Sequence, residues 1–448
     1  MVCGAALSSW ALGPADAPAL PTPDPDLFTI VTVDTAQELA DACWNLASDT
    51  AVVIAPGLYD LTSVSFPNGQ DGRLTVGRYG APMISNVQIR GATGDPEDVV
   101  ILGGGMSDPI VPFGFQVFTA TDVLIADLSI GGVYYHTVAI QNDQGAHRVR
   151  LYHCRLFDAG EQIVKGNRGE NSGAEDVIIE FCDIFLSEGA IEHPDLGYCY
   201  TNAIDAIGGH RWVIRDNLIR GIYCQNGELA GPAILMWQGS SDTVVERNTF
   251  LDCSRGVSLG LVSSDDHVGG TVRNNFFRWN PAASYAVDVP IYTTSPDSSV
   301  LHNSVLTHGL YGAAVEVRFP GATEVEVRGN LMDRPVVARD GAVPVVEDNV
   351  TDAQPAWFVD EAVGDLHLLP SAAAAVDQLD TMAGCVDDFD GFIRPTGPSR
   401  VDVGADELEG PLFIDGFESG DTSRWSRTNG LSRPPWLGSR HADIESDD

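Results

Sequence analysis

The chain has 448 residues, of which 44% are hydrophobic, so it contains enough apolar material for a large core or an elongated repeat structure. Acidic residues outnumber basic ones by 63 to 25, and the formal net charge of −38 excludes nucleic acid and anionic lipid as partners, because both are polyanions. No apolar run approaches the roughly 18 residues that span a membrane, so no membrane span is predicted.

The first 26 residues do not have the composition of a folded domain. A short apolar stretch at 5–12 is followed by a linker rich in Pro, Ala and Asp, like the end of a signal peptide without its positively charged start. We therefore expect residues 1–26 to be a leader remnant and disordered linker, and the protein to be secreted or held at the cell surface. The eight cysteines are irregularly spaced without a CxxC pair, which argues against a zinc or redox motif.

A short motif recurs from about residue 120: two or three alternating apolar positions, a polar pair, then a small polar residue followed by an apolar one. Fixed repetition of this kind is the signature of a solenoid. Aligning the repeats on the small polar position gives one column of residues: Leu128, Cys154, Cys182, Asn217, Asn248, Asn275, Asn303, Asn330 and Asn349. The intervals vary between 19 and 35 residues, which favours a β-helix with turns of variable length.

The asparagines of this column have a physical reason to recur. In a parallel β-helix each coil lies about 4.8 Å above the last. An inward Asn at a bend can bond the turn backbone and its neighbours above and below, and so satisfy polar groups that would otherwise be buried unpaired. Cys154 and Cys182 continue the column, and their stacking distance does not suit a disulfide, so we expect two buried free thiols.

A second strand follows the motif in each coil. Alternation places one set of side chains in the core: Val138, Ile163, Ile204, Ile234, Val257, Val287 and Val315. The intervening positions form an outward column: Ala139, Val164, Asp205, Leu235, Ser258, Asp288 and Glu316.

The asparagine column with coils of 26–35 residues resembles the pectate-lyase-like superfamily of right-handed parallel β-helices. The opening TAVVIAPGLYDL (50–61) resembles the entry strand of such proteins, and VQIRGATGDPEDVVILGGG (87–105) resembles their first full coil. The segment 364–407 is similar to the closing segment of exported bacterial β-helix proteins, and FIDGFESGDTSRWS (413–426) resembles a tail motif of secreted proteins.

The resemblance implies an all-β fold, a single-stranded solenoid of about nine to ten coils. Its expected parts are a β-helix with its N-terminal cap at 27–350, a C-terminal capping segment at 351–410, and an acidic, disordered secretion-like or anchor-like tail at 411–448. Because both ends of the solenoid are expected to be capped, the sequence predicts a monomer.

Lys165 is the only lysine of the chain, and it lies at a strand end beside a long loop. Loops at about 166–176, 187–201 and 221–231 are expected to wall the face that carries it, although strict alternation from Ile163 points Lys165 inward. In β-helix lyases a Lys or Arg can take the proton α to a uronate carboxylate, so the resemblance makes Lys165 a candidate base. The other interpretation is a strand-end lysine that only reaches solvent.

Asp205 and His210 are candidate acid–base groups on the same face, and Asp205 is a possible Ca²⁺ ligand. Arg211 and Arg247 are candidates for neutralising a substrate carboxylate. Both signature motifs of pectate lyases, for calcium and for arginine, are absent from the sequence. Apart from this possible Ca²⁺, no cofactor is expected.

Aromatic and acidic residues on the long loops complete the candidate site. We expect Trp237 and Tyr198 to contact a polysaccharide, with Tyr200 and Tyr223 as further aromatic candidates, and His193 to lie in the substrate-binding loop. His193 also belongs to a run of residues able to bind a metal, although its spacing matches no defined site: Glu188, Glu192, His193 and Asp195.

Three functions compete. The first is a secreted polysaccharide lyase that cleaves a uronic-acid glycan by β-elimination. The second is a non-catalytic glycan-binding or adhesive surface protein, in which the acidic residues form a solvent-exposed surface and have no catalytic role. The third is a glycoside hydrolase, for which Asp288 and Glu316 would be neighbouring carboxylates about 5 Å apart. An outward Lys165 within about 6 Å of Asp205 or His210 favours an enzyme, whereas Lys165 buried in a plain ion pair favours a stalk.

Overall fold

A computed structural model describes residues 17–67, 72–169, 173–396 and 399–408. The described chain winds as a right-handed parallel β-helix, in which each full coil contributes one strand to each of three sheets. We number the sheets in the order that the chain visits them. This confirms the predicted fold class.

The strands of sheet 1 stack in register along the whole solenoid. They are β1 (Thr29–Val33), β2 (Thr50–Ile54), β5 (Ile84–Gly91), β8 (Ala120–Ala126), β11 (His147–Tyr152), β14 (Ile178–Glu180), β17 (Val213–Arg215), β21 (Val244–Glu246), β25 (Thr271–Arg273), β28 (Ser299–Leu301), β31 (Glu326–Arg328) and β34 (Val345–Glu347).

Sheet 2 follows the asparagine bend. Its strands are β3 (Gly57–Asp60), β6 (Val99–Leu102), β9 (Ser129–Val133), β12 (Arg155–Ala159), β15 (Asp183–Phe185), β18 (Leu218–Arg220), β22 (Thr249–Leu251), β26 (Phe276–Arg278), β29 (Ser304–Leu306) and β32 (Leu331–Met332).

Sheet 3 is reached through the longest connections. Its strands are β4 (Leu74–Val76), β7 (Phe113–Val117), β10 (His136–Gln141), β13 (Val164–Asn167), β16 (Ile204–Ile207), β19 (Ile234–Trp237), β23 (Val257–Leu259), β27 (Ile291–Thr293), β30 (Val315–Arg318) and β33 (Val336–Arg339). Two small two-stranded sheets lie outside the three stacks: β20 (Ser240–Ser241) with β24 (His267–Val268), and β35 (Phe358–Asp360) with β36 (Asp365–Leu368).

The predicted asparagine column is confirmed as a continuous hydrogen-bonded ladder. Asn248 donates from its side-chain amide to Asn275 Oδ1 at 3.0 Å, and Asn275 donates in the same way to Asn303 Oδ1 at 2.9 Å. Each amide also satisfies backbone carbonyls of the bend, and these three side chains are fully buried. Cys154 and Cys182 extend the column as buried free thiols, as predicted.

The register predicted for sheet 3 is wrong at two coils. Val164, rather than Ile163, pairs with Ile204 and faces the core, so Lys165 takes the outward position beside Asp205. In a later coil the strand is β27, so that Ile291 faces the core in place of the predicted Val287, and Tyr292 faces outward in place of Asp288. Both errors arise where two apolar residues compete for one core position and an irregular loop sets where the strand begins.

A single α-helix among the described residues, α1 (Ala36–Trp44), covers the first coil. Its N-terminus is capped by Thr35, whose Oγ1 accepts the Glu38 N–H, and Glu38 in turn accepts the N–H of Asp34, the residue before the cap. Leu39, Ala40 and Cys43 bury its apolar face against the core. Nowhere in the described ranges does a helix reach the length and apolar character that a membrane span requires.

Residues 351–396 and 399–408 pack along the outside of sheet 2, not over the last coil. Their second apolar cluster includes Phe276, Leu306 and Leu331 of sheet 2, and the ring of Phe389 stacks on Phe276 with centroids 3.7 Å apart. The expected cover over the C-terminal coil is therefore not formed by these residues, and Val346, which stacks on the core residue Val327, is 47% exposed. The predicted acidic tail at 411–448 lies outside the described residues.

The closing segment (residues 351–396 and 399–408) buries Asp388, and burial raises the pKa of this carboxyl to about 7. Because the folded state holds the proton more tightly than the unfolded state, Asp388 costs stability as pH rises from about 4 to about 7, and that cost persists above pH 7. We expect Asp388→Asn to stabilise the protein at about pH 8 by about 1–2 kcal/mol more than at about pH 5. Thermal unfolding at the two pH values measures the difference.

The matched control is Asp352→Asn, a change to an exposed carboxyl of the same segment. Its effect on stability should be the same at both pH values. A pH-independent effect of Asp388→Asn would show that this carboxyl does not titrate differently in the folded and unfolded states.

Candidate functional site

Lys165 and Asp205 form a buried ion pair on the outer face of sheet 3. They are direct partners in the β13–β16 register, and Lys165 Nζ lies 2.6 Å from Asp205 Oδ2. The other oxygen, Oδ1, accepts a hydrogen bond from Trp237 Nε1 at 2.9 Å. The side chain of Lys165 is 9% exposed and that of Asp205 is fully buried. The structure therefore brings together three of the residues that the sequence singled out.

Polar residues that the sequence analysis missed surround this pair. Glu161 lies just before β13, and burial raises its carboxyl pKa, while the nearby Lys165 opposes the shift. His136 is buried beside it; burial, followed by the charge of Lys165, lowers the imidazole pKa to about 3. The ring is therefore neutral at ordinary pH. Its Nδ1 lies 3.1 Å from the Gln162 carbonyl oxygen, which leaves Nε2 towards Glu161 at 3.9 Å.

The longest loops wall the site on the side of sheet 2, as predicted for 187–201 and 221–231. Cys199 and Cys224 form a disulfide that joins these two loops. The first loop also reaches back to an earlier coil, where the Tyr135 hydroxyl donates to Asp195 Oδ2 at 2.7 Å. The sequence analysis predicted no disulfide; the signal was one cysteine in each of the two longest connections.

Tyr198 and Tyr200 lie on the same loop wall. Tyr198 is 49% exposed, as a side chain available to a ligand should be. Tyr200 packs near Asp205 and Glu161, and burial, then these two carboxylates, raises its hydroxyl pKa to about 12. Tyr200 therefore remains protonated at ordinary pH.

His193 does not have the accessibility expected of a substrate-binding residue. Its side chain is fully buried, with Nε2 bonded to the Tyr134 carbonyl oxygen at 3.0 Å and its ring stacked on Tyr135. The folding of the loop across the preceding coil buries it. His193 therefore holds the loop wall in place.

His210, Arg211 and Arg247 are not brought to Lys165. His210 lies in the turn towards sheet 1 and contacts Ser241 Oγ at 2.9 Å. Arg211 pairs with Asp176 at 2.7 Å in the same turn region. For His210 and Arg211 the reason is the short turn after β16, because residues a few positions beyond this sheet 3 strand already belong to another face, whereas Arg247 directly follows β21 of sheet 1.

Arg247 lies at the asparagine bend, where it pairs with Asp216 at 2.8 Å and Asp387 at 3.1 Å. Its side chain is 12% exposed, and its guanidinium ties the closing segment to the solenoid. Arg247 therefore has a structural contact in place of the predicted contact with a substrate.

The environment of Asp205 does not fit the predicted Ca²⁺ ligand. Both carboxylate oxygens accept hydrogen bonds, and the ammonium of Lys165 occupies the position next to Oδ2. Ca²⁺ requires six to eight oxygen ligands, which this pair does not supply. Within the described ranges, a group of potential metal ligands occurs elsewhere, in the closing segment, at His367, Asp390 and Asp406.

Asp288 and Glu316 are not neighbours in the outward column, since Tyr292 is the register partner of Glu316. They nevertheless line one pocket on the same face of sheet 3. Glu316 is engaged by the Tyr311 hydroxyl at 2.9 Å and by Arg339 Nη1 at 2.8 Å. The predicted hydrolase pair is therefore a set of carboxylates held in hydrogen bonds.

The sequence matches no protein-family model and no curated protein. The fold is similar to that of the pectate lyase Pel9A, with a TM-score of 0.54 at 12% identity over 85% of this chain and 97% of that one. Lower similarity is found to an alginate lyase from Paenibacillus sp. strain FPU-7, with a TM-score of 0.44 at 15% identity over 72% of this chain and 99% of that one.

A DFA-IIIase from Arthrobacter chlorophenolicus A6 has a TM-score of 0.45 at 14% identity, over 72% of this chain and 88% of that one. At these identities the similarities concern the fold alone. The similarity to the pectate lyase Pel9A confirms the predicted fold, a parallel β-helix.

Proposed function

We propose that the protein is a carbohydrate-active enzyme that cleaves a uronic-acid polysaccharide by β-elimination, with its centre at Lys165. The observation that carries the proposal is the position of Lys165: the chain's only lysine faces outward on sheet 3, 2.6 Å from Asp205 and beneath a wall of loops. The fold shared with a pectate lyase supports this choice of reaction.

In the proposed reaction Lys165 Nζ takes the proton α to the uronate carboxylate. The C–H electrons form the new carbon–carbon double bond, the glycosidic C–O bond breaks, and the leaving oxygen takes a proton from Glu161. Lys165 must be neutral to act as the base. The ion pair with Asp205 must therefore release one proton before Lys165 takes the proton from the substrate. Trp237 holds the Asp205 carboxyl in place through its indole N–H.

The second candidate is glycan binding without catalysis. It is favoured by the burial of Lys165, whose ion pair with Asp205 leaves the side chain only 9% exposed. In that case the exposed Tyr198 and the partly exposed Trp237 on the same face would contact the glycan.

We also propose that the protein works outside the cytoplasm. Disulfides persist in oxidising compartments, and the Cys199–Cys224 bond holds the loop wall together. The cysteines without a disulfide among the described residues are all buried, as suits such an environment.

The test is to incubate the protein with a panel of uronic-acid polysaccharides, with and without added Ca²⁺, and to follow the ultraviolet absorbance of the unsaturated product. We expect activity that falls by about 10²–10⁴-fold in Lys165→Met, the usual size of an acid–base contribution. Arg148→Met removes an exposed cation on sheet 1 and should leave activity unchanged. If folded wild-type protein produces no absorbance on any uronan, the lyase proposal is wrong and glycan binding takes its place.

A further inference from the structure

A second pocket of about 120 Å³ opens on the outer face of sheet 3, towards the C-terminal end of the solenoid. Its floor is formed by Ser258, Tyr292 and Glu316, which are successive outward residues of β23, β27 and β30. The charged side chains that line it are Arg255, Asp288, Glu316, Arg318 and Arg339. Three guanidiniums thus meet in one pocket of a strongly acidic chain.

Each carboxylate oxygen of this pocket already lies beside a donor of the protein. Glu316 accepts from Tyr311 and Arg339, one on each oxygen. Asp288 accepts the Val289 N–H at 2.8 Å on one oxygen, and its other oxygen lies 3.2 Å from Arg255 Nε. A ligand therefore finds little unused acceptor capacity here.

The guanidiniums retain donors. A guanidinium carries five N–H groups; one nitrogen of Arg339 is hydrogen-bonded, while Arg255 Nε lies near Asp288 without forming a hydrogen bond. Arg318 lines the pocket, where it bonds Asp340 through Nε and has a side-chain hydrogen bond with Tyr292, so several of its N–H donors remain unused. The side chains of Arg318 and Arg339 are 35% and 44% exposed, so a ligand can reach them.

We propose that this pocket binds the carboxylate of an acidic sugar unit, as a binding site separate from the Lys165 centre. A surplus of guanidinium N–H donors with no matching free acceptors selects a planar anion, which an arginine fork binds through two parallel hydrogen bonds. The small volume suits one charged group of a chain and not a whole oligosaccharide. The assignment of the anion to a glycan depends on the proposed function. The preference of the pocket for a carboxylate does not depend on it.

The position of the pocket also fits a long polymer. From Lys165 on β13 to Glu316 on β30 the sheet crosses five strand spacings, through β16, β19, β23 and β27. At about 4.8 Å for each spacing the two sites are about 24 Å apart on one face. A polysaccharide lying across the strands would contact both, and the distal pocket would raise affinity without taking part in bond cleavage.

The test is to measure the affinity of the full chain for uronic-acid oligosaccharides by calorimetry, with fully methyl-esterified and neutral oligosaccharides as ligands for comparison. We expect Arg318→Gln to weaken binding of the acidic oligosaccharides by at least about 10-fold, as loss of a charge-assisted bidentate contact should. Binding of the esterified and neutral ligands should be weak and unchanged by the substitution.

Arg328→Gln is the matched control, because Arg328 is a similarly exposed, ion-paired arginine of the same end of the solenoid but lies on sheet 1. It should leave affinity unchanged. If Arg318→Gln does not fold, Arg318→Lys is measured in its place, since lysine keeps the positive charge but cannot form the two parallel hydrogen bonds of a guanidinium. Unchanged affinity in a folded Arg318 variant, or equal affinity for acidic and neutral ligands, would overturn the proposal.

The lyase proposal and the carboxylate-site proposal can be disproved independently of each other. Lys165→Met should retain the Arg318-dependent binding while it loses β-elimination. A wild-type protein that binds acidic oligosaccharides through Arg318 but cleaves none would remove the lyase proposal and leave the carboxylate site intact.

Discussion

Asp205→Asn is expected to lower the free energy of unfolding by about 3–5 kcal/mol, the usual cost of leaving one partner of a buried ion pair alone. The substitution keeps the size of the side chain and an acceptor for Trp237 Nε1, so the main loss is the counter-charge of Lys165. The Lys165 side chain is 9% exposed, and water cannot readily replace that charge. Denaturant unfolding, followed by circular dichroism, measures the change.

The double variant Lys165→Met/Asp205→Leu separates two contributions to the free energy of unfolding: the cost of a buried unpaired charge and the contribution of side-chain packing. Hydrophobic replacement of a whole buried pair is often neutral or stabilising, so the double variant should be more stable than Asp205→Asn. A control on the surface is Asp122→Asn, which removes the partner of Arg148 where both side chains are about half exposed. We expect that control to cost no more than about 1 kcal/mol. Equal costs for Asp205→Asn and Asp122→Asn would show that solvent reaches the Lys165 pair.

The asparagine bend could be predicted because a single residue type identifies it in the sequence. Asn248, Asn275 and Asn303 each occupy a position where only a side-chain amide both donates and accepts along the stack. Sheet 3 offers no such marker. Ile163 and Val164 are both apolar and both buried, and only the pairing of Val164 with Ile204 decides which way Lys165 points.

The candidate site was predictable only where its residues lie in strands. Lys165 and Asp205 are register partners, so the coil alignment placed them on neighbouring strands. Glu161 and His136 lie near them because the chain bends between sheets 2 and 3, and nothing in the local sequence marks that bend. The position of His193 depends on a loop that folds back over an earlier coil, a contact between residues 59 positions apart.

Asn275→Ala is expected to cost about 3–5 kcal/mol, because it removes the middle of the buried ladder. Asn275 Oδ1 accepts from both the backbone and the side chain of Asn248 at 3.0 Å, and its amide donates to Asn303 and to two backbone carbonyl oxygens. Alanine leaves these groups buried and unpaired, in addition to a small cavity. The free energy of unfolding from a denaturant titration gives the cost.

Asn349→Ala provides the matched comparison at the end of the same ladder. Asn349 accepts the same two bonds, from Asn330, at 2.9 and 2.8 Å, but it is partly exposed and has no asparagine beyond it in the column. Water can replace its bonds, so the substitution should cost about 1 kcal/mol. The difference between the two alanine variants reports mainly the effect of burial, since both residues accept the same pair of donors and differ by one donated bond, from Asn275 to Asn303. Equal costs would mean that the ladder stabilises the solenoid through its bonds alone, whether or not water can reach them.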